Sequence, residues 1–213
     1  MTEETGLRER KKQRTRQALS ETAIELFLAR GFDQVSVADV AAAVEVSKPT
    51  LFRYFPSKED LVLHRIADHQ GEAARVVRER AVEASPLAAL RAHFHARLDA
   101  YDPVTGLCDN PAVLAFHDLV FTTPSLLART VRYSERDEEL LAAALYETGG
   151  DGGDEFMARL AAAQIVTVQV RLARGNWCRI NGGVRAAEAL PRAHAEADVA
   201  FDLLGGGVGA VYG

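Results

Sequence analysis

The sequence has little of what enzyme sites, disulfide frameworks or metal centres require. Its 213 residues include only two cysteines, Cys108 and Cys178, and these have no CxxC spacing. Two isolated thiols fit a reducing compartment and provide no disulfide framework. GxSxG, P-loop, GxGxxG and HExxH patterns are absent, and no acidic cluster stands out. We therefore expect no catalytic centre, no metal site and no cofactor.

Long apolar runs and strand-like alternation are also absent. No run reaches the length of a membrane span, and the N-terminus is charged rather than signal-like. Gly and Pro fall at the ends of helical patterns, and the 48% of apolar residues is ample for a core. The sequence predicts an all-α, cytoplasmic protein of about nine helices without a membrane partner.

Lysine is absent beyond Lys58, and the acidic excess lies in that same part of the chain. Residues 1–60 contain ten Lys and Arg against ten Asp and Glu, whereas the remainder contains fifteen Arg against twenty Asp and Glu. The net charge of −5 therefore does not by itself indicate a nucleic-acid partner. A basic run near the N-terminus predicts either a solvated face or a phosphate-contacting arm; it comprises Arg8, Arg10, Lys11, Lys12, Arg14 and Arg16.

Two short helical patterns joined by a tight turn occupy residues 36–55. Ser36 is a good N-cap for the first helix, and Asp39 follows three residues later, as in a capping box. Ser47 caps the second helix, where Pro49 falls in the first turn and its missing N–H costs nothing. The stretch predicts a helix-turn-helix that docks in DNA.

The second of these helices would enter the DNA major groove, which is about 12 Å wide. Its outward side chains must be modest in size or able to donate hydrogen bonds. Those near its N-terminus suit base edges, and helix N-termini attract phosphate. The predicted DNA-contact residues are Ser36, Lys48, Pro49, Thr50, Arg53, Tyr54, Lys58 and Arg14.

Some residues of this stretch also fit an ordinary structural role. Tyr54 could be a core aromatic, Ser36 a plain N-cap and Lys58 a solvated first-turn lysine. Leu51 and Phe55 are expected to pack inward, with Phe52 as a third candidate. Ser57 caps a further helix, which the pattern extends to about residue 83.

Residues 46–61 read VSKPTLFRYFPSKEDL, and they follow the features Leu26-Phe27, Gly31-Phe32 and Ser36-Val37. Together these features resemble the tetracycline-repressor (TetR) family of bacterial regulators, over about the first 70 residues. A generic helix-turn-helix rarely continues with Tyr-Phe-x-Ser-Lys-x-x-Leu. The resemblance implies a homodimer with a three-helix DNA-binding domain, residues 1–56. Residues 57–213 would then bind an effector and dimerise through the last two helices.

Two residues depart from the family pattern. Glu45 occupies the turn between the two helices, where Gly is common, and a left-handed conformation there would cost it about 1 kcal/mol. Phe52 stands where Tyr is frequent, which removes one possible hydrogen bond to phosphate. Neither departure changes the resemblance, but both would affect affinity or operator choice.

The C-terminal part offers candidate ligand residues among its aromatic and polar side chains. A cavity for an apolar effector would lie among the helices predicted over residues 87–148 and 154–178. An aromatic set at helical spacing is also what an ordinary core provides. The candidate ligand-binding residues are Phe94, Arg97, Tyr101, Phe116, His117 and Trp177.

Two functional hypotheses remain open. The first is a TetR-type repressor, not an enzyme, that binds a palindromic operator in double-stranded DNA as a dimer. A small apolar effector would release it, with the fourth helix carrying the change to the DNA-binding domain. The second is a helical small-molecule binding protein or enzyme with a vestigial helix-turn-helix. The polar groups at the outward positions of the helix-turn-helix favour the first.

Overall fold

The structure is a computed structural model that describes residues 2–149 and 153–207. The described residues form ten α-helices and one short 3₁₀ helix, Pro103–Thr105, and contain no strand, which confirms the all-α prediction. The helices are α1 (Thr2–Arg30), α2 (Val37–Ala43), α3 (Lys48–Tyr54), α4 (Lys58–Ala67), α5 (Glu72–Glu79), α6 (Pro86–Asp99), α7 (Pro111–Thr122), α8 (Pro124–Thr148), α9 (Glu155–Asn181) and α10 (Ala186–Gly207).

The chain divides into two compact units. The head unit runs to Asp68 and also includes Ala115–Thr130, so it contains all described residues of the predicted DNA-binding domain. The body unit consists of His69–Leu114 and the described residues from Val131 onward.

The head unit has a core built from apolar residues at helical spacing. On α1, Leu19, Ala23 and Phe27 are buried on one face, whereas Leu26 is half-buried. Gly31 ends α1 with a φ of 89°, the left-handed conformation that glycine adopts without strain. The remaining core of this unit includes Val40, Leu51, Phe55, Leu61, Val62, Leu63, Phe116, Leu119, Val120 and Leu126.

The body unit packs around a core rich in small residues. Alanines on one face of α9 and on one face of α10 are buried, and small side chains let helix backbones approach closely. Asn176 of α9 is buried and donates a hydrogen bond of 3.0 Å to the carbonyl of Thr105, which ties the 3₁₀ helix to α9. A Cβ at Gly106 would lie 2.0 Å from the carbonyl oxygen of Ala173, so only glycine fits there.

The predicted fourth helix is two helices. Helix α4 ends at Ala67 and α5 begins at Glu72, which raises the number of α-helices from the predicted nine to ten among the described residues. Gly71 has a φ of 75°, and its N–H donates to Asp137 at 2.8 Å. The left-handed conformation at Gly71 is incompatible with a continuous helix.

Helix α9 continues to Asn181, beyond the predicted end at residue 178. Helix α10 begins at Ala186, continues through Pro191 and ends at Gly207. Residues 205–207 are helical, and residues 208–213 lie outside the described part of the chain.

Helix α9 also changes the expectation about membrane spans. It contains an 18-residue window of mean hydropathy 1.2, so by length and composition it could cross a membrane, as could α7 with α8 if they are counted as one broken span. The core helix of a soluble protein passes the same test, so the finding is weak evidence for a membrane span.

Candidate DNA-binding surface

Helix α2 begins with the capping box that the sequence predicts. The N–H of Asp39 donates to Ser36 Oγ at 3.1 Å, and the N–H of Ser36 donates to Asp39 Oδ2 at 2.7 Å. The Ser36 hydroxyl also donates to Asp39 Oδ2 at 2.6 Å. These hydrogen bonds, the side-chain one first, hold the pKa of Asp39 below its usual value. Ser36 is therefore an N-cap, and it remains exposed at the start of α2.

The turn between α2 and α3 has the backbone conformation predicted for it. Glu45 has a φ of 55°, in the left-handed region. The N–H of Glu45 donates to the carbonyl of Ala42 at 3.1 Å, and the N–H of Val46 donates to the carbonyl of Ala41 at 2.9 Å. This pair of hydrogen bonds is a Schellman motif, the helix ending in which glycine is preferred. Glu45 therefore carries a strain that glycine would not.

Helix α3 presents a polar face to solvent at its N-terminal end. Ser47 caps it by accepting from the Thr50 N–H at 3.2 Å, and the two hydroxyl oxygens lie 2.8 Å apart. Leu51 and Phe55 are buried, as predicted, and anchor the opposite face. The exposed predicted contacts are Lys48, Pro49 and Arg53, while Thr50 and Tyr54 are half-buried beside them.

Phe52 corrects one expectation. It was a candidate for inward packing, but it is 41% exposed and lies under the ammonium of Lys48, which is 5.8 Å from its ring centroid. Residues 48 and 52 are four apart on the helix and therefore share one face. The outward surface of α3 thus includes an aromatic ring, which supports the position of Lys48.

Lys58 contacts the end of α1. Its ammonium donates a hydrogen bond to the backbone carbonyl of Phe32. The same ammonium lies 4.2 Å from the ring centroid of Phe32 and 5.3 Å from the ring centroid of Phe27. Lys58 is half-buried, so it is not the solvated lysine that the sequence left open. One of its three N–H donors is used by Phe32, which leaves two for a phosphate.

Asp60 and Arg129 are partners that the sequence did not indicate. Asp60 is 8% exposed, and its carboxylate receives the guanidinium of Arg129, with Nη2 3.0 Å from Oδ1 and 3.1 Å from Oδ2. Ser57, the cap of α4, donates its hydroxyl to the same carboxylate at 2.9 Å. The residues are 69 apart in sequence, so no local pattern could have paired them.

The predicted basic arm is part of helix α1. Arg14 is exposed, as a phosphate contact requires, whereas the guanidinium of Arg16 packs 5.3 Å above the ring of Phe55. The side chain of Arg8 lies outside the described part of the structure. At least one cation of this run therefore contributes to the packing of the head unit.

Three of the predicted ligand residues have other roles in the body unit. Phe94 is a core residue whose ring lies 6.1 Å from that of Phe201. Arg97 pairs with Glu72, and with Asp102 at 2.8 Å. Tyr101 ends α6 with a φ of 51°, a left-handed conformation that no sequence signal indicated. None of these contacts tests a ligand-binding role.

The other three predicted ligand residues lie in both units. Phe116 and His117 belong to the head unit, and Trp177 is buried on α9 in the body unit. Burial lowers the pKa of His117, and its Nδ1 has no hydrogen-bond partner in the described structure. The six residues are therefore not members of one compact unit, and their effector role stays a prediction.

Comparison with known proteins identifies the family. A model of the family "Bacterial regulatory proteins, tetR family" matches residues 19–64. The chain is 35% identical to the HTH-type transcriptional regulator TcmR of Streptomyces glaucescens over 183 residues, which are 85% of this chain and 81% of the relative. It is 31% identical to the HTH-type transcriptional repressor LfrR of Mycolicibacterium smegmatis over 208 residues, 96% of this chain and 94% of the relative.

Solved structures show the same fold. NalD, the secondary repressor of the MexAB-OprM multidrug efflux pump in Pseudomonas aeruginosa, aligns with a TM-score of 0.55 at 16% identity. The alignment covers 88% of this chain and 95% of NalD. With the helix-turn-helix geometry of α2 and α3, these similarities show that the chain belongs to the TetR family and is a TetR-type transcriptional regulator.

Proposed function

We propose that the protein is a repressor that binds a palindromic operator as a homodimer and is released by a small apolar effector. The observation that carries the DNA contact is the outer face of α3, where exposed Lys48, Pro49 and Arg53 flank half-buried Thr50 and Tyr54. Such a face has the size and hydrogen-bond donors that major-groove readout needs. The repressor role has support from LfrR, a relative named as a repressor.

The N-termini of the neighbouring helices extend this surface. In the proposed complex Ser36 contacts phosphate at the start of α2, and Lys58 does so at the start of α4 with the donors that Phe32 leaves free. Exposed Arg14 on α1 would reach the backbone beside the operator. Phosphate contacts orient the protein on the duplex, and the α3 side chains then read its sequence.

The dimer would form through α9 and α10. Within the chain, only 28% of the apolar 18-residue window of α9 is buried. On α10, the side chain of Leu203 is 76% exposed. Large exposed apolar side chains on neighbouring helices favour a protein interface. The exposed large apolar residues of the two helices are Phe156, Leu160, Val170, Val199 and Leu203. A dimer would present two heads to half-sites about 34–36 Å apart.

The two functions would be divided along the chain. Residues 1–56 would bind DNA, and residues 57–213 would bind the effector and dimerise. Phe94, Arg97, Tyr101, Phe116, His117 and Trp177 remain the candidate effector contacts. An effector acts only through its different affinity for the DNA-binding and released states. The protein would work in the cytoplasm, where its operator is, and as a regulator rather than an enzyme.

Selection from random-sequence double-stranded DNA tests the proposal without a known operator. The full-length protein should enrich a palindromic sequence, bind it as one dimer and lose affinity steeply as salt rises. Light scattering of the complex gives the stoichiometry. Failure to enrich any sequence, or binding that salt does not weaken, would contradict the proposed function. A reporter driven by the enriched sequence then distinguishes repression from activation.

A further inference from the structure

The connection between α3 and the first turn of α4 is short and stiff. Three residues, Phe55 to Ser57, separate the two helices. Phe55 is buried, and Pro56 has its φ fixed by its ring. The orientation of α3 therefore follows the orientation of the first turn of α4. Contacts that hold this turn also hold the outward residues of α3, which we call the DNA-reading surface.

Three polar contacts with residues distant in sequence hold this turn. Lys58 donates to the carbonyl of Phe32 after the end of α1, and Ser20 of α1 donates its hydroxyl to the carbonyl of Leu61 at 2.7 Å. The third contact is the pair of Asp60 with Arg129 of α8. Two of the three come from α1 or the residues after it, so only the Arg129 contact comes from a residue that follows α4 in the chain.

The third contact has the geometry of a strong charge pair. Arg129 directs two nitrogens at Asp60, since Nε lies 3.3 Å from Oδ1 and Nη2 lies within 3.1 Å of both carboxylate oxygens. Asp60 is the one ionisable residue among the buried polar residues of the described chain. A buried carboxylate is costly unless it is paired, so the burial of Asp60 depends on its pairing with Arg129.

We propose that Arg129 is a positioning residue for DNA binding: through Asp60 it fixes the first turn of α4 and hence the orientation of α3. Arg129 itself need not touch DNA. Helix α8 has residues in both units, whereas α4 ends at Ala67 within the head unit. A movement of α8 would then change the orientation of α3 through the pair of Arg129 with Asp60.

This proposal rests on the proposed DNA-binding function, and it must be separated from a simple contribution to stability. Arg129→Met keeps an apolar stem but leaves Asp60 buried without its cation, so both the melting temperature and the operator affinity should fall. Adding Asp60→Asn removes the unpaired charge and keeps an oxygen for the Ser57 hydroxyl. The double variant should therefore regain its melting temperature without regaining affinity.

The experiment measures both quantities on the full-length protein, with the DNA sequence enriched by the wild type as the probe. The double variant is expected to melt within a few degrees of wild type yet bind at least about tenfold more weakly. Arg129→Lys, which keeps the charge but lacks the two-pronged donor, should bind with intermediate affinity. Arg136→Met, on the same helix at an exposed pair with Glu139, is the control and should change neither quantity.

Recovery of both melting temperature and affinity in the double variant would overturn the proposal, because the pair would then only stabilise the fold. Wild-type affinity in Arg129→Met would overturn it as well. Hydrogen exchange of the free double variant provides a readout without DNA: amides of residues 48–61 should exchange faster than in wild type, and unchanged exchange there contradicts the proposal. If wild type enriches no DNA, the proposed function fails while hydrogen exchange still decides the role of Arg129.

Discussion

Serine caps recur at successive helices within the head unit, whereas arginine pairs that span long stretches of sequence recur within the body unit. In the head, each of the three helices after α1 begins with a serine that bonds a residue three positions later, as in Ser36 with Asp39. In the body, arginines join residues far apart in sequence, as in Arg91 with Asp198 at 2.5 Å and a separation of 107 residues. Local contacts can be predicted from sequence, whereas distant ones become visible only in the fold.

A pair of histidines illustrates the long-range contacts of the body. The rings of His95 and His194 stack with 4° between their planes, and their Nδ1 atoms lie 2.6 Å apart. Their outer nitrogens face Asp198 at 3.1 Å and Asp99 at 2.8 Å. One of the facing Nδ1 atoms must carry a hydrogen and the other must accept it. The contact joins α6 to α10 across 99 residues of sequence.

The comparison predicts that DNA affinity depends on the head, and the largest expected effect is at α3. Thr50→Ala combined with Tyr54→Ala should weaken operator binding by at least about a hundredfold, since each lost base contact costs about 1–3 kcal/mol and the change is repeated in both heads. Fluorescence anisotropy with the enriched DNA measures it. Arg185→Ala, at an exposed pair in the body, is the control and should bind normally. Equal binding by both variants would favour the vestigial helix-turn-helix.

The body unit is expected to govern the formation of the dimer, whereas the head unit governs DNA affinity. Leu203→Glu places a charge on the exposed apolar face of α10 and should weaken the dimer by about ten- to hundredfold, because the charge would be buried at the interface. Sedimentation across a concentration series measures the dissociation constant. Val82→Glu is the matched control, since Val82 is 93% exposed and lies outside α9 and α10. A dimer unaffected by Leu203→Glu would show that this face is not the interface.

Lys58 is a residue of the head unit that has both a long-range contact within the fold and a predicted DNA contact. Lys58→Met should lower the melting temperature, since the hydrogen bond to Phe32 is lost. It should also reduce the salt dependence of DNA binding, by about 0.9 in the log–log slope for each head. Titrations at several salt concentrations provide the slope. A lower melting temperature with an unchanged slope would mean that Lys58 only ties α4 to the end of α1.

The smallest expected effect is on protein stability, at the turn between α2 and α3. Glu45→Gly should stabilise the protein by about 1 kcal/mol, because glycine adopts the left-handed conformation of this position without strain. Thermal unfolding of the two proteins measures the difference. Glu45→Ala is the comparison, since alanine keeps the strain and should not be stabilising. Equal stability of the glycine and alanine variants would show that Glu45 is relaxed.

Sequence reasoning predicted the head better than the body for a physical reason. The serine caps and the left-handed Glu45 depend on windows of a few residues, and both appear in the structure. The break at Gly71 was missed because an isolated glycine within a helical pattern is often tolerated. The effector candidates rest on residue type, which does not distinguish a cavity from a core such as that around Phe94.

The sequence by itself determined the family, the helix-turn-helix and the residues that face outward at the start of α3. These depend on hydrogen bonds and side-chain spacing within single helices and turns. Only the tertiary structure decided that Lys58 reaches Phe32, that Arg129 reaches Asp60 and that α4 ends at Ala67. Beyond residue 60 there are fifteen arginines, and no local rule says which acid each will meet, because folding brings the partners together from distant parts of the chain.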